Sequence, residues 1–441
     1  MLRAGSPLAL ALLLVSSACS PAPSDPGPTP SPAHAQDART TVSASRPNII
    51  LIIGDDVGYP YHGFMGDPIV ETPNLDRLAE GGTVFTTGYV TASVCEPSLY
   101  SLLTGREAMP RHGQGPRRRV SGTDSIAGLL GEQGYATLQS GKFWHGTFKT
   151  AGFSHGTKPT NASKTNPTKA WMGGEEGLRL GRSTMRPIFD FIDAHRDQPF
   201  FIWFAPMLPH KPWDAPQALR RLYQRRDPQL PRDTVRYFAN ITRLDAAVGD
   251  LVRYIDTNGL RENTLIIYVS DNGFGPLSSE DSPVAAWTAA KGTSTELGFR
   301  TPVVFNWPGH IPAGVVREDP VSTLDLFPTI LAYGGAKAPE DRPGVDLRPA
   351  LQGLPTDRRD VIGRMRSVRL IDPRQPAPEK PTPAAYYLRD DRWHYVWSPE
   401  ANSELLFDVD ADPGEQTNLA AELPQVTAEL RSRVERWRDA G

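Results

Sequence analysis

The chain has 441 residues, with 47 Lys and Arg against 50 Asp and Glu and a formal net charge of −3. That balance argues against a nucleic-acid binder, whose affinity rests on clustered basic residues. A hydrophobic content of 39% beside 22% charged residues is that of an ordinary folded protein with a substantial core.

In chain order, residues 1–19 read as a targeting signal. Arg3 supplies a positive start, and residues 8–15 form an apolar run too short to span a bilayer. Ser16-Ser17-Ala18-Cys19 then resembles a bacterial lipoprotein cleavage box, although Leu is usual where Ser16 stands. Acylation of Cys19 would anchor the protein to a membrane. An ordinary secretory signal is the alternative, and Ala33-His34-Ala35 offers a second small-residue cleavage site. Both readings predict export, as a periplasmic or cell-envelope lipoprotein or as a secreted protein. Residues 20–45, rich in Pro, Ser and Ala, read as a disordered tether.

Four apolar runs read as buried parallel strands: residues 48–53 (NIILII), 199–204 (PFFIWF), 264–269 (TLIIYV) and 302–305 (PVVF). Helical patterns lie among them at 73–80, 124–133, 182–195 and 233–257. The last carries Val235, Phe238, Ile241, Leu244, Val248, Leu251, Val252 and Ile255 at helical spacing. The alternation predicts an α/β fold, a large mixed and mostly parallel sheet sandwiched by helices. Beyond residue 339 proline becomes frequent. Strand-like segments at 384–388 and 393–397 and an amphipathic stretch at 426–438 predict a smaller C-terminal α+β subdomain. The expected boundaries are 46–354 for a catalytic domain and 355–441 for the subdomain.

The ends of the strands carry polar residues. The first run leads into Gly54-Asp55-Asp56, the second into His210, and the third into Ser270-Asp271-Asn272-Gly273. In open α/β sheets ligands bind outside the carboxyl ends of the strands, so these side chains are expected on one rim. Asp55, Asp56, Asp271 and Asn272 form an all-oxygen set suited to Ca²⁺ or Mg²⁺, with Ca²⁺ the more tolerant of irregular geometry. One Asp pair could merely end a strand; two sets at the ends of buried strands point to a metal.

Cys19 and Cys95 are the two cysteines of the chain. With Cys19 lost or lipidated, an exported protein retains one thiol, an unusual state. A lone Cys often serves as a small buried hydrophobe, but the neighbours of Cys95 say otherwise. Cys95-Glu96-Pro97-Ser98-Leu99, continued by residues 100–106 (YSLLTGR), resembles the signature of type I sulfatases in the alkaline phosphatase superfamily: Cys-x-Pro-Ser-Arg, then a short apolar helix ending in Thr-Gly-Arg. Other stretches resemble that family in its order: residues 48–59 (NIILIIGDDVGY), 72–79 (TPNLDRLA), Gly141-Lys142-Phe143-Trp144-His145, Pro209-His210-Lys211-Pro212 and 270–273 (SDNG). Lys291-Gly292-Thr293 with Glu296, Gly298, Arg300 and Pro302 follows, then 405–419 (LLFDVDADPGEQTNL). The resemblance spans nearly the whole mature chain. The spacing from Lys142 to His145 is similar to that of iduronate-sulfatase-like members.

The resemblance implies an alkaline-phosphatase-like fold and hydrolysis of an organic, including carbohydrate, sulfate ester. It implies that a formylglycine-generating enzyme oxidises Cys95 to formylglycine, whose hydrated aldehyde attacks sulfur. Asp55, Asp56, Asp271, Asn272 and residue 95 would hold the metal, which polarises the sulfuryl oxygens. Lys142 and Lys291 would bind substrate and neutralise charge developing in the transition state. His210 would bind substrate and act as acid for the leaving alcohol, and His145 would take a proton from the second hydroxyl to expel sulfate. Arg106 is a further candidate contact to the anionic substrate, as is the run Arg117, Arg118, Arg119. Trp144, Trp213 and Trp287 lie beside these boxes and either stack on a sugar ring or pack the core. One departure stands out: Leu99 occupies the place of the signature Arg, which removes a fixed cation and leaves conversion of Cys95 open. Two other readings follow, a phosphate or phosphonate ester hydrolase on the same fold and a catalytically silent carbohydrate-binding relative. Retention of Lys142, His145, His210 and Lys291 favours a hydrolase.

Overall fold

An unbroken apolar run such as residues 48–53 has no polar face to turn to water, so it demands cover on both sides. It forms the strand Asn48–Gly54 (β1), buried throughout, near the centre of a nine-stranded sheet. The computed structural model describes residues 46–440 except 110, 112–117, 158–173, 275–289, 357–359, 369, 371 and 373–381. The expected signal segment, Cys19, the tether, Arg117 and Trp287 lie outside the described residues.

The other strands of this sheet are Thr83–Tyr89 (β2), Ala136–Gly141 (β3), His155–Gly156 (β4), Phe200–Ala205 (β5), Thr264–Ser270 (β6), Arg300–Asn306 (β7), Val315–Arg317 (β8) and Val321–Ser322 (β9). Their order is β4-β3-β5-β1-β6-β7-β2-β8, with β9 beside β2. The block β4-β3-β5-β1-β6 is parallel. Residues 302–305 were expected in a parallel strand, and this is corrected: β7 runs antiparallel to both β6 and β2. The physical reason is that β7 starts at the rim where β6 ends, directly after the four-residue helix Glu296–Phe299, and so runs back along its neighbour.

Side chains alternate across β1. Ile50 and Ile52 pack with the helices Pro73–Glu80, Arg186–Ala194 and Arg232–Thr257. Ile49, Leu51 and Ile53 pack on the other face with Cys95–Thr104, Ile126–Glu132 and Leu326–Tyr333. The helical reading of 182–195 starts four residues early, because Leu180 and Thr184 bridge across a turn before the helix begins at Arg186. Strands β2 (TVFTTGY) and β3 (ATLQSG) carry too few apolar residues to stand out in the sequence.

A second, antiparallel sheet follows: Val361–Val368 (β10), Thr382–Arg389 (β11), Trp393–Ser398 (β12) and Ser403–Asp408 (β13), in that order. On one face Tyr386, Leu388, Tyr395 and Leu406 meet Leu430 and Val434 of the helix Pro424–Asp439. On the other, Tyr387, Val396, Leu405 and Phe407 pack against Tyr89, Val90 and Phe299 of the first sheet's margin. Among the described residues no helix is long and apolar enough to cross a membrane.

Candidate active site

Register assembles the site. Gly54 of β1 is paired with Ser270 of β6, and the Asp271 amide donates to the Gly54 carbonyl at 2.9 Å. Asp55-Asp56 and Asp271-Asn272 therefore leave adjacent parallel strands side by side. On the far side of β1, the Asp55 amide donates to Leu208 O (2.9 Å) and the His210 amide donates to Asp55 O (3.1 Å). Gly141 of β3 is paired with Ala205 of β5, and the Lys142 amide donates to Ala205 O at 2.7 Å. Gly141 has φ +85, and a Cβ there would lie 2.1 Å from Ala205 O, so only glycine allows the turn that aims Lys142 inward. Four neighbouring parallel strands thus deliver Lys142, His210, the Asp pair and the Asp-Asn pair to one rim.

The carboxylates are buried: Asp55 is 2% exposed, Asp56 6%, and Asp271 and Asn272 0%. Lys142 bonds Asp55 Oδ1 and lies 3.3 Å from Asp271 Oδ2. Lys291 bonds Asp56 Oδ1 and reaches Cys95 Sγ at 3.4 Å. Asn272 Nδ2 donates to Asp56 Oδ1 at 2.7 Å, and the Asp56 amide donates to Asp271 Oδ1 at 3.0 Å. Asp56 sits at φ +67, a costly conformation for a residue with a side chain, held by Tyr237 Oη, which donates to Asp56 O at 2.7 Å.

Burial alone would lower the Lys142 ammonium, but Asp55 and Asp271 overcome it and hold it well above the usual lysine range. Burial pushes Asp56 up, yet Lys291 and Lys142 bring it below the usual carboxylate range. For Asp271 burial wins over Lys142, so its carboxyl is raised. Burial also raises the Cys95 thiol, opposed by Lys142 and Lys291. Three buried carboxyl groups thus face two ammonium groups at the rim, and the two lysines do not fully offset the burial of Asp271.

That arrangement fits a hard cation. Asp55 Oδ2 and Asn272 Oδ1 are buried oxygens with no hydrogen-bond partner, a costly state that a bound cation relieves. Ligand atoms of Asp55, Asp56, Cys95 and Asp271 lie within 4.8 Å of one another. A second buried cluster, Glu296, His394 and Glu415, already has its own cations: Arg389 and Arg300 lie 3.4 and 3.5 Å from Glu296.

Cys95 opens the helix Cys95–Thr104, where the backbone dipole favours negative charge. The loop before it is tied to the Lys291 loop, since the Gly292 amide donates to Ser93 O at 2.8 Å. Leu99, one turn on and on the face that Cys95 occupies, is 1% exposed and belongs to the apolar core with Leu102 and Leu103. His145 Nδ1 lies 3.7 Å from the Glu96 carboxylate, and its ring meets Tyr100 and Phe143 edge-on. Glu96 was not singled out from sequence; its place beside Cys95 in the first helical turn was the available signal. His210 Nδ1 donates to Lys211 O at 2.8 Å and Nε2 lies 3.9 Å from Asp56 Oδ2. A carbonyl only accepts, so Nδ1 carries a proton.

Arg106 is corrected. It follows the C-terminal end of the helix that Cys95 opens, about 15 Å away at 1.5 Å per residue. Its guanidinium is held by Asp124 at 3.1 Å and Asp341 at 2.9 Å, so it braces the helix end and does not face the rim. Arg118 and Arg119 are exposed. Trp144 packs against the core. Trp213 meets Tyr237 edge-on beneath the Lys211 ammonium. In the C-terminal box, Glu415 Oε2 accepts the Glu296 amide at 2.7 Å, steadying the helix that follows the Lys291 loop.

The sulfatase family profile matches residues 47–336, which span the acidic rim, Cys95 and both lysines. The chain belongs to the sulfatase family. A second profile, N-sulphoglucosamine sulphohydrolase, C-terminal, matches residues 290–440 of this sulfatase. Arylsulfatase A of Homo sapiens is 31% identical to it over 457 residues, covering 88% of this chain and 86% of that protein. N-acetylgalactosamine-6-sulfatase of Sus scrofa is 32% identical over 361 residues, covering 71% and 67%. The crystal structure of Ps i-CgsB superposes with a TM-score of 0.72 at 26% identity, over 89% of this chain and 93% of that one. This sulfatase is a sulfuric ester hydrolase on an alkaline-phosphatase-like fold.

Proposed function

We propose that the sulfatase acts through a formylglycine made from Cys95 and a Ca²⁺ ion held by Asp55, Asp56, Asp271 and Asn272, and that it desulfates a sugar. Support comes chiefly from one observation: Cys95 Sγ lies 3.4 Å from Lys291 Nζ and within 4.8 Å of the Asp55, Asp56 and Asp271 ligand atoms. This closeness supports a sulfuryl group shared between residue 95 and the acidic set. A bound Ca²⁺ would polarise the sulfuryl oxygens.

If residue 95 is converted, its hydrate would supply the hydroxyl that attacks sulfur; the proton of that hydroxyl would pass to a neighbouring rim carboxylate as the S–O bond to the alcohol breaks. His210, protonated at both ring nitrogens, would give the departing oxygen its proton from Nε2 while Nδ1–H stays on Lys211 O. Lys142 and Lys291 hold the non-bridging oxygens as charge builds on them. His145 would take the proton of the second hydroxyl, so that the C–O bond to sulfate breaks and the carbonyl at residue 95 re-forms. The sugar assignment rests on relatives such as N-acetylgalactosamine-6-sulfatase. Maturation by a formylglycine-generating enzyme, and export with Cys19 acylated, complete the proposal on the strength of the sequence alone.

Mass spectrometry of the Cys95 peptide, from active protein made in its native host, tests the mechanism. Aldehyde or its hydrate is the expected mass; active enzyme carrying an unmodified thiol would refute it. Sulfate release from a panel of sulfated monosaccharides tests the substrate class, with aryl phosphates as the comparison.

A further inference from the structure

We infer that Arg182 is a positioning residue for His210, acting through the backbone of the loop that carries the imidazole; the inference rests on His210 being the proton donor to the leaving alcohol. Arg182 lies in the turn before the helix Arg186–Ala194, far in sequence from the rim residues. Its side chain is 4% exposed. The two hydrogens of Nη2 are shared among three carbonyls of one loop: Met207 O at 2.5 Å, His210 O at 3.0 Å and, more weakly, Pro212 O at 3.4 Å.

Arg182 is itself held from behind, mainly through Arg243. Asp214 Oδ1 lies 3.7 Å from Arg182 Nη1 and 2.9 Å from Arg243 Nη1. Arg243, on the long helix Arg232–Thr257, also donates from Nη2 to Arg182 O at 2.6 Å. On its other side the same loop is stitched to β1 through Leu208 O and the His210 amide. His210 is therefore clamped at its amide by Asp55 and at its carbonyl by Arg182. With both ends of the residue fixed, the bond from Nδ1 to Lys211 O aims Nε2 at the rim. A catalytic acid needs placement within a fraction of an ångström, which such support provides.

Arg182 is costly to keep. Its ion pair is long, its partners are mainly carbonyls, and burial lowers its guanidinium to about 10. The carbonyls it satisfies include that of His210 itself, so loss of the guanidinium would release the backbone that carries the imidazole.

The test compares wild type, R182K, R182M, H210A and the R182M/H210A double variant on 4-nitrophenyl sulfate and phenyl sulfate. Phenolate is the poorer leaving group and depends more on a donated proton. Positioning predicts that R182M lowers kcat on phenyl sulfate about 10²-fold, the low end of a general acid's contribution, with a clearly smaller loss on 4-nitrophenyl sulfate and little change in KM. R182M should add little to H210A, and R182K should fall between. Equal losses on both esters, or losses that multiply in the double variant, overturn the proposal.

Thermal unfolding establishes which variants are folded, and R182K carries the test if R182M is not. The imidazole ¹⁵N shifts of His210 at fixed pH give a readout without turnover. They should change in a folded Arg182 variant, and an unchanged His210 spectrum overturns the positioning role. Wild type inert on every sulfate ester would instead count against the reading of His210 as acid, and the spectra would still decide whether Arg182 holds it.

Discussion

The Lys291 ammonium lies 3.4 Å from the Cys95 sulfur while it also bonds the Asp56 carboxylate. One side chain thus joins residue 95, the proposed nucleophile, to the acidic set proposed to hold the cation. Lys142 has a different place: it is 1% exposed and bridges Asp55 and Asp271. The two lysines should therefore separate on substitution. Lys291→Met should lower kcat/KM by about 10² to 10³, as loss of one preorganised donor does, with a smaller loss of stability than Lys142→Met because one buried carboxylate, Asp56, loses its ammonium and not two. Lys142→Met should abolish activity and also destabilise by about 3–5 kcal/mol, because two buried carboxylates lose their partner. Kinetics and urea melts of both variants check this, and equal stability losses would contradict it.

The acidic rim sets the response to chelation. Burial raises Asp271, and the rim holds one more carboxyl group than ammonium, so a cation bound as proposed would stabilise the folded state over an unfolded chain that lacks the geometry to bind it. Removing divalent ions with EDTA should abolish turnover and lower Tm. Restoring Ca²⁺ to 100 times its Kd should return about 2.7 kcal/mol of stability. Asp55→Asn should shrink that Ca²⁺-dependent shift, measured by differential scanning fluorimetry. A Tm indifferent to EDTA and Ca²⁺ would speak against a cation on these residues.

Much of this was legible before the fold was known, and for a physical reason. Strands β1, β5 and β6 are covered on both faces, so they appear as continuous apolar runs, and the polar residues that end them mark the rim. Strands β2 and β3 were not legible, because Thr, Ser and Gln are buried there through tertiary hydrogen bonds such as Ser140 Oγ to Trp203 O at 2.8 Å. The direction of β7 was hidden too, since an apolar run has no sign. Arg106 was misjudged because an arginine after the Thr-Gly of the motif carries no mark of which end of the helix it braces. Arg182 and Glu96 escaped notice because each works through its neighbours, and contacts between Arg182 and the loop 207–212 have no periodicity to read.

Leu99 bears on maturation and on packing together. It is buried among Leu102, Leu103 and other core residues, one helical turn from Cys95. Leu99→Met should keep stability within about 1.5 kcal/mol, and Leu99→Ala should cost about 2–5 kcal/mol. Leu99→Arg places a cation in that apolar setting and should lower Tm by several degrees, since an uncompensated buried charge costs about 3 kcal/mol or more. Its conversion of Cys95, read by mass spectrometry, carries separate information. A rise above wild type means that maturation is limited by this position. Unchanged conversion means that the site works without the signature Arg.

His62 gives the fold an acid-sensitive element away from the reacting groups. It is fully buried; Nδ1 donates to Tyr59 O at 3.1 Å and Nε2 accepts from Tyr268 Oη at 2.8 Å. Both ring nitrogens are satisfied in the neutral form, and burial lowers the imidazole from 6.5 to about 4, against the smaller raising effect of the Tyr59 carbonyl. The unfolded chain therefore binds a proton between pH 6.5 and about 4 that the folded chain refuses. Stability from this group is complete above pH 6.5 and falls as pH drops through that window, by about 3 kcal/mol in all. Below pH 4 both states are protonated and the loss levels off. His62→Gln retains a donor and an acceptor without a titrating ring. Its urea midpoint should be lower than that of wild type at pH 7.5, and the gap should narrow or reverse by pH 4.5. Parallel pH profiles for the two proteins would show that His62 does not govern the acid limb.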